Sequence, residues 1–347
     1  MTLCLSRHYH AKNIQRKAFT ILEILPVSLY MSYENPIHTL YDRLTTTFEN
    51  VNGKSKKRLE EYDSSQLSRR IRIDTGPFSG PSSDHNCKEI VLNQRFLTLV
   101  WCITYIIYEV TANKTKTAKQ VTSNYMEING QDPEVKQMDW LFDWAFNLKT
   151  DCDEQWPEGL PNPKMITETV RIVNVIFIDA ITYIMYHEVA HLVNNHWNSF
   201  KDIARKNYLG FDLTEDEIIL SKQLEQEADT FAYESLISQD DSDEIRYHKL
   251  FGMVMAGLSS LFAHPKGNKL NDDIHPGSHV RIFNTRLREN FDEGNQFRLN
   301  CAMNTGLSMF CKFHDIKIEQ KKFGEFTELL DYLFELIQTH ADDELKR

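Results

Sequence analysis

His187-Glu188-Val189-Ala190-His191 carries the residue types of a metal-assisted hydrolytic site. On a helix, histidines four apart leave the same face and can bind one ion. Glu188 lies beside them, able to reach water instead of the metal. Zinc fits such imidazole donors: it lowers the pKa of a water toward about 7, and a carboxylate base can then take the proton for attack on a polarised peptide carbonyl. The apolar run Ile166 to Asn194 around this motif reads as one long, buried helix. A buried imidazole without a polar partner is costly, so a second inward-facing polar group is expected.

Glu225-Gln226-Glu227-Ala228-Asp229 supplies it on the next strong helix, which opens at the capping-box pair Thr214 and Glu217 and runs to about Ile237. Residues two apart on a helix point about 200° from one another, so Glu225 and Glu227 cannot both face the ion. Glu225 is expected as the third ligand, because Asp229 then shares its face and can accept the second N–H of a ligand histidine, fixing its tautomer. A one-residue distortion near Gln226 would make Glu227 the ligand instead. The metzincin spacing is excluded, since Asn194 and Trp197 stand where a glycine and a histidine are required. His196 falls one residue short of that place and reads as a helix-end cap rather than a ligand. A third element is His275-Pro276 with Arg281-Ile282: the histidine could steady an oxyanion and the arginine could hold a carboxylate, against the plainer reading of a turn.

The elements that must position these residues can be traced along the chain. An amphipathic segment from Asn35 to Glu61 precedes two strand patterns, Arg70 to Ile73 and Lys88 to Leu92, separated by a Gly/Pro/Ser stretch from Gly76 to Ser83. Helices follow at about Gln94 to Val110 and around Trp140 to Phe146. Three prolines and a glycine in Thr150 to Pro163 bar any helix from crossing that segment. Further helical patterns cover Tyr247 to Phe262, Ser278 to Asn290 and Phe323 to His340. The expected fold is a mainly α-helical α+β protein with a zincin-like catalytic core over 150–347, and an α+β region with a short sheet over 31–149. Residues 1–30 read as a disordered extension, or as lying upstream of a true start at Met31.

A 347-residue chain that is 41% hydrophobic and 26% charged can bury a full core. Its net charge of -11 argues against nucleic acid as a partner, since phosphate binding needs a basic footprint. The apolar runs Phe96 to Tyr108 and Ile172 to Tyr186 fall short of the roughly 20 residues of a membrane span and read as core helices. Six scattered cysteines with no C-x-x-C pair fit reduced thiols and a cytoplasmic protein.

With these elements in order, the chain resembles gluzincin-type peptidases and, more closely, the Lit family of bacterial phage-exclusion metallopeptidases. The resemblance rests on Glu89-Ile90-Val91-Leu92 with the aromatic helix after it, Cys152 with Trp156-Pro157, Pro161 and Pro163, His187 to His191 with His196, Glu225 to Asp229, and His275-Pro276 with Arg281-Ile282. It implies zinc bound by His187, His191 and Glu225, with Glu188 as base. It also implies cleavage of a host protein, elongation factor Tu in that family, with a phage-derived activator as a further partner. Two other readings stand beside it. An ImmA-type regulator-cleaving peptidase shares the H-E-x-x-H and acidic helix but is usually shorter and has no H-P…R-I element. A non-catalytic, zinc-stabilised interaction protein would have no need of Glu188.

Overall fold

A computed structural model describes residues 35–51, 57, 70–118, 133–150, 155–264, 275–319 and 323–345. In chain order it contains a 3-10 turn (Pro36–Leu40), α1 (Tyr41–Glu49), β1 (Arg70–Asp74), β2 (Ser82–Asp84), β3 (Glu89–Asn93), α2 (Gln94–Ala118), α3 (Pro133–Asn147) and α4 (Glu168–Val193). Then follow α5 (His196–Tyr208), α6 (Glu215–Leu236), α7 (Asp243–Ala263), α8 (Ser278–Arg286), α9 (Glu293–Phe313) and α10 (Phe326–Leu345). The fold is α+β and mainly helical. Residues 1–30 lie outside the described residues.

Helix α4 is the axis of the molecule. Thr167 caps its start, accepting a hydrogen bond from Val170 N at 3.2 Å, and buried side chains then occur on every face down to Leu192. A helix apolar all round has to be enclosed by others. Here α1, α2, α6 and α7 surround it. Tyr186 Oη donates to the carbonyl of Phe48 in α1 at 2.8 Å. From α2, Trp101 Nε1 donates to Asn174 Oδ1 at 2.8 Å, and Asn174 Nδ2 donates to Pro163 O at 2.9 Å, so this buried amide is satisfied on both sides. The proline-rich segment interrupts the helices as expected, yet Trp156 is buried near Trp101 and Trp144, its Nε1 donating to Leu160 O at 2.9 Å. Asn35–Arg347 forms one compact unit.

Three elements differ from the sequence reading. Strand β2 begins at the end of the Gly/Pro/Ser stretch and runs one residue past it. It pairs antiparallel with β3, which pairs in parallel with β1, giving the sheet order β1-β3-β2. Helices α5 and α9 were not expected either. The α9 sequence holds Gly294, Gly306, Asn300, Asn304 and Thr305, all weak helix formers, but most of one turn after another is buried, and packing overrides propensity. Gln94–Ala112 and Glu168–Val193 are, as helices, long and apolar enough to cross a membrane, which corrects the expectation that both runs fall short. Inside the protein 67% and 72% of their apolar windows are buried, the arrangement of core helices.

Helix α7 approaches α4 closely at Gly252, where an added Cβ would lie 2.6 Å from Asp179 Cβ and 3.1 Å from the backbone N of Ala180. Backbone cannot step aside, so Gly252→Ala is expected to destabilise by about 1–3 kcal/mol. At Gly306 the neighbour is the Leu258 side chain alone, at 2.7 Å, and Gly306→Ala should cost less. Chemical denaturation of both variants checks the order; equal losses would count against backbone contact at Gly252.

Candidate metal centre

Near the C-terminal end of α4, His187 and His191 turn their Nε2 atoms toward each other at 3.1 Å. Two ring nitrogens at that distance repel unless a proton or a cation lies between them. Glu225, 5% exposed on α6, brings Oε2 to 3.4 Å from His187 Nε2 and Oε1 to 3.3 Å from His191 Nε2. The capping box that fixes the start of α6 is present, with Thr214 N donating to Glu217 Oε2 at 2.9 Å and Glu217 N to Thr214 Oγ1 at 3.3 Å. His187, His191 and Glu225 offer ligand atoms within 4.8 Å of one another and form a group that could hold a metal ion. A tetrahedral ion with bonds of about 2.0–2.2 Å sets its ligand atoms roughly 3.3 Å apart, which the two Nε2 atoms match, and the Glu225 carboxylate comes within 3.4 Å of each of them through a different oxygen. Glu227 instead points away, 62% exposed, toward His196.

Behind His187 stands Asp229, one turn after Glu225. It accepts from His187 Nδ1 at 3.0 Å and from Tyr183 Oη at 3.2 Å, and receives Nε of Arg281 on Oδ2 at 2.8 Å and Nη2 on Oδ1. With Nδ1–H engaged, His187 presents a bare Nε2 to the centre. Arg281 thus acts as a clamp on Asp229, with Nη1 3.9 Å from Glu225 Oε2. Helix α8, which carries it, is buttressed by α10 through His279 Nε2 and Gln338 Oε1 at 2.8 Å and the Phe283 and Phe334 rings at 4.9 Å. His275 stands across the centre, half exposed, with Nε2 3.9 Å from Glu225 Oε1. Of the expected site residues, the structure brings together all but Glu227.

Burial would raise Glu225 and Asp229, yet His187 and Arg281 outweigh it and hold both carboxyls far below the usual range. His187 would be lowered by burial and by Arg281, but the hydrogen bonds it donates to Asp229 and Glu225 carry it up to about 9 in the metal-free protein. His191 is lowered to about 3 by burial and by the neighbouring His187 charge. Burial pushes the Glu188 carboxyl up, with His187 and a Ser83 hydrogen bond opposing and Glu225 adding. A carboxylate so raised is a better proton acceptor near neutrality. Ser83 comes from β2, whose position nothing in the Gly/Pro/Ser stretch announces. Tyr183 was also missed, although its place four residues before His187 puts it on the same face.

His187, Glu188, His191, Glu225, His275 and Arg281 line a cleft of about 370 Å³, and Asp229 lies outside its lining. His85, just after β2, stacks on Trp197 of α5 at 5.3 Å to form part of its wall.

A mainly helical protein with a largely buried His-His-Glu donor set, a raised carboxyl beside it and a cleft in front has the build of a hydrolase with a candidate metal centre. The profile described as Peptidase U49 matches residues 90–301, more than half of the chain, and the chain belongs to that family. It is 29% identical over 119 residues to the cell death peptidase of Escherichia coli (strain K12), a match covering 33% of this chain and 39% of that relative. No solved structure matches.

The His187 shift sets a pH dependence for the metal-free protein. Its folded value lies above the ordinary 6.5, so its contribution to stability is complete below pH 6.5 and is lost as pH rises through about 9. Thermal unfolding of chelator-treated protein should show Tm falling over that window, and His187→Gln should flatten the fall. An unchanged slope in the variant would contradict the origin assigned to it.

Proposed function

We propose that this protein is a zinc-dependent endopeptidase that cuts a host protein in a phage-exclusion response in the cytoplasm. The observation that carries the reading is the convergence of His187, His191 and Glu225, with Glu188 on the wall of the same cleft. Peptidase chemistry is supported by membership of the Peptidase U49 family and by similarity to a protein named cell death peptidase. The host-directed part extends that similarity to a relative matched over only 39% of its length. Free thiols at Cys87, Cys102, Cys301 and Cys311 suit a reducing compartment.

When bound, zinc would supply a Lewis acid that acidifies water and polarises a carbonyl. His187, His191 and Glu225 would hold it. Glu188 takes the proton of the attacking water on its carboxylate and returns it to the leaving amine nitrogen. His275, which lines the same cleft, donates toward the carbonyl oxygen as it gains charge. Asp229, clamped by Arg281, keeps the His187 ring from rotating.

Glu188→Gln should retain the metal content of wild type, measured by elemental analysis, while lowering peptide-bond cleavage by about 10²–10⁴-fold. Equal cleavage would remove Glu188 as base, and absence of zinc from the wild type would remove the metal. Elongation factor Tu is the first substrate to test, with and without extract of phage-infected cells supplying an activator. A discrete fragment is expected with wild type and none with Glu188→Gln. If other proteins are cut and this one is not, the substrate assignment falls and the peptidase reading stands.

A further inference from the structure

His196 is buried, 3% exposed, and nothing in the proposed reaction uses it. Helix α4 stops at Val193, Asn194 closes it, and Asn195 takes the left-handed conformation (φ 54°, ψ 37°) that reverses the chain. His196, the first residue of α5, is thereby folded back against α4. Its Nδ1 lies 3.1 Å from His191 Nδ1, the two rings nearly perpendicular at 78° with centroids 5.0 Å apart. Its Nε2 lies 3.3 Å from Glu227 Oε2, in a geometry too misaligned for a hydrogen bond.

We infer that His196, backed by Glu227, is a positioning residue that holds His191 in the tautomer presenting a bare Nε2 to the metal. The inference rests on the metal-binding reading above. His196 stands behind His191, against the nitrogen that faces away from His187 and Glu225, and so is not a fourth ligand of the same ion. Only one proton fits between two nitrogens 3.1 Å apart. If His191 carries it, His191 Nε2 is a free lone pair. If His196 carries it, neutral His191 must be protonated on Nε2 and cannot ligate.

The surrounding charges pull in opposite directions. Glu225 Oε1, 3.3 Å from His191 Nε2, draws the proton toward that nitrogen in the metal-free site. Glu227, an acceptor only, favours N–H on His196 Nε2, which leaves His196 Nδ1 bare to accept from His191 Nδ1–H. The Glu227–His196 pair thus does for His191 what Asp229 does for His187.

Two measurements on the full chain test this. In metal-free protein labelled with ¹⁵N in histidine, long-range ¹⁵N–¹H spectra should show His191 protonated on Nδ1 in wild type and shifted toward Nε2 in His196→Ala. In competition with a chelator, His196→Ala should bind zinc about 10–100-fold more weakly. His196→Asn, whose side-chain oxygen takes the place of Nδ1, should recover most of the loss, and Glu227→Gln should show a smaller one. The inference is overturned if His196→Ala binds zinc as tightly as wild type, if Asn and Ala are equally weak, or if His191 carries its proton on Nε2 in wild type. Should His196→Ala fail to fold by circular dichroism, the Asn and Glu227→Gln variants and the wild-type spectrum decide. A wild type that takes up no zinc defeats the metal reading instead, and the tautomer measurement then decides alone.

Discussion

Asp229 is the largely enclosed charge on which the centre depends. Alone in that position it would be intolerable, because an isolated ionised carboxylate loses several kcal/mol on leaving water. It is held by donors from two other helices: Tyr183 and His187 from α4, and Arg281 from α8. A carboxylate that must collect these partners fixes the relative height and rotation of α4, α6 and α8. Its neighbour Glu225 is brought to the two histidines by the same constraint, one turn earlier on the same helix. The donor atoms are therefore placed through a carboxylate that lies outside the cleft lining and gathers its partners from α4 and α8.

Much of this was legible in the sequence, for a physical reason that differs from element to element. The pairing of His187 with His191, and of Glu225 with Asp229, follows from helical periodicity within one segment, and periodicity survives without knowledge of the fold. The distinction between Glu225 and Glu227 was legible too, because two residues on one helix cannot face the same point. Arg281 could be read as a holder of a carboxylate, but which carboxylate depends on how α8 packs, and that is settled by α10 through His279 and Phe283. His196 was read as a cap since its contact with His191 is made by a turn in the left-handed region at Asn195, which periodicity does not encode. Strand β2 was invisible for a similar reason. Three residues at the end of a Gly/Pro/Ser stretch carry no alternation, and they become a strand only because β3 offers a free edge.

Helix α4 also shows how stability and chemistry share one element. Along most of its length its polar anchors are hydrogen-bonded, Asn174 to Trp101 and Pro163 and Tyr186 to Phe48, while its last two turns carry a histidine pair whose nitrogens face each other. Without a proton or a cation between those nitrogens, that end of the helix works against the packing of the rest. The raised His187 is the metal-free protein's answer, a proton retained where a cation fits.

The partners of Asp229 have a consequence in time as well as in space. Arg281 and His187 are 94 positions apart, with Glu225 and Asp229 between them in the chain. During synthesis from the N-terminus, α4 and its histidines emerge first, then α6 with both carboxylates, and only afterwards the helix that neutralises them. Until α8 docks, the buried acidic groups have no guanidinium, and the geometry around His187 has no clamp. Such long-range contacts form late, since the closure of the intervening chain must be met before they contribute. A nascent or truncated chain ending before α8 would carry the whole H-E-x-x-H sequence and lack the assembled centre, so competence is acquired near the completion of the fold.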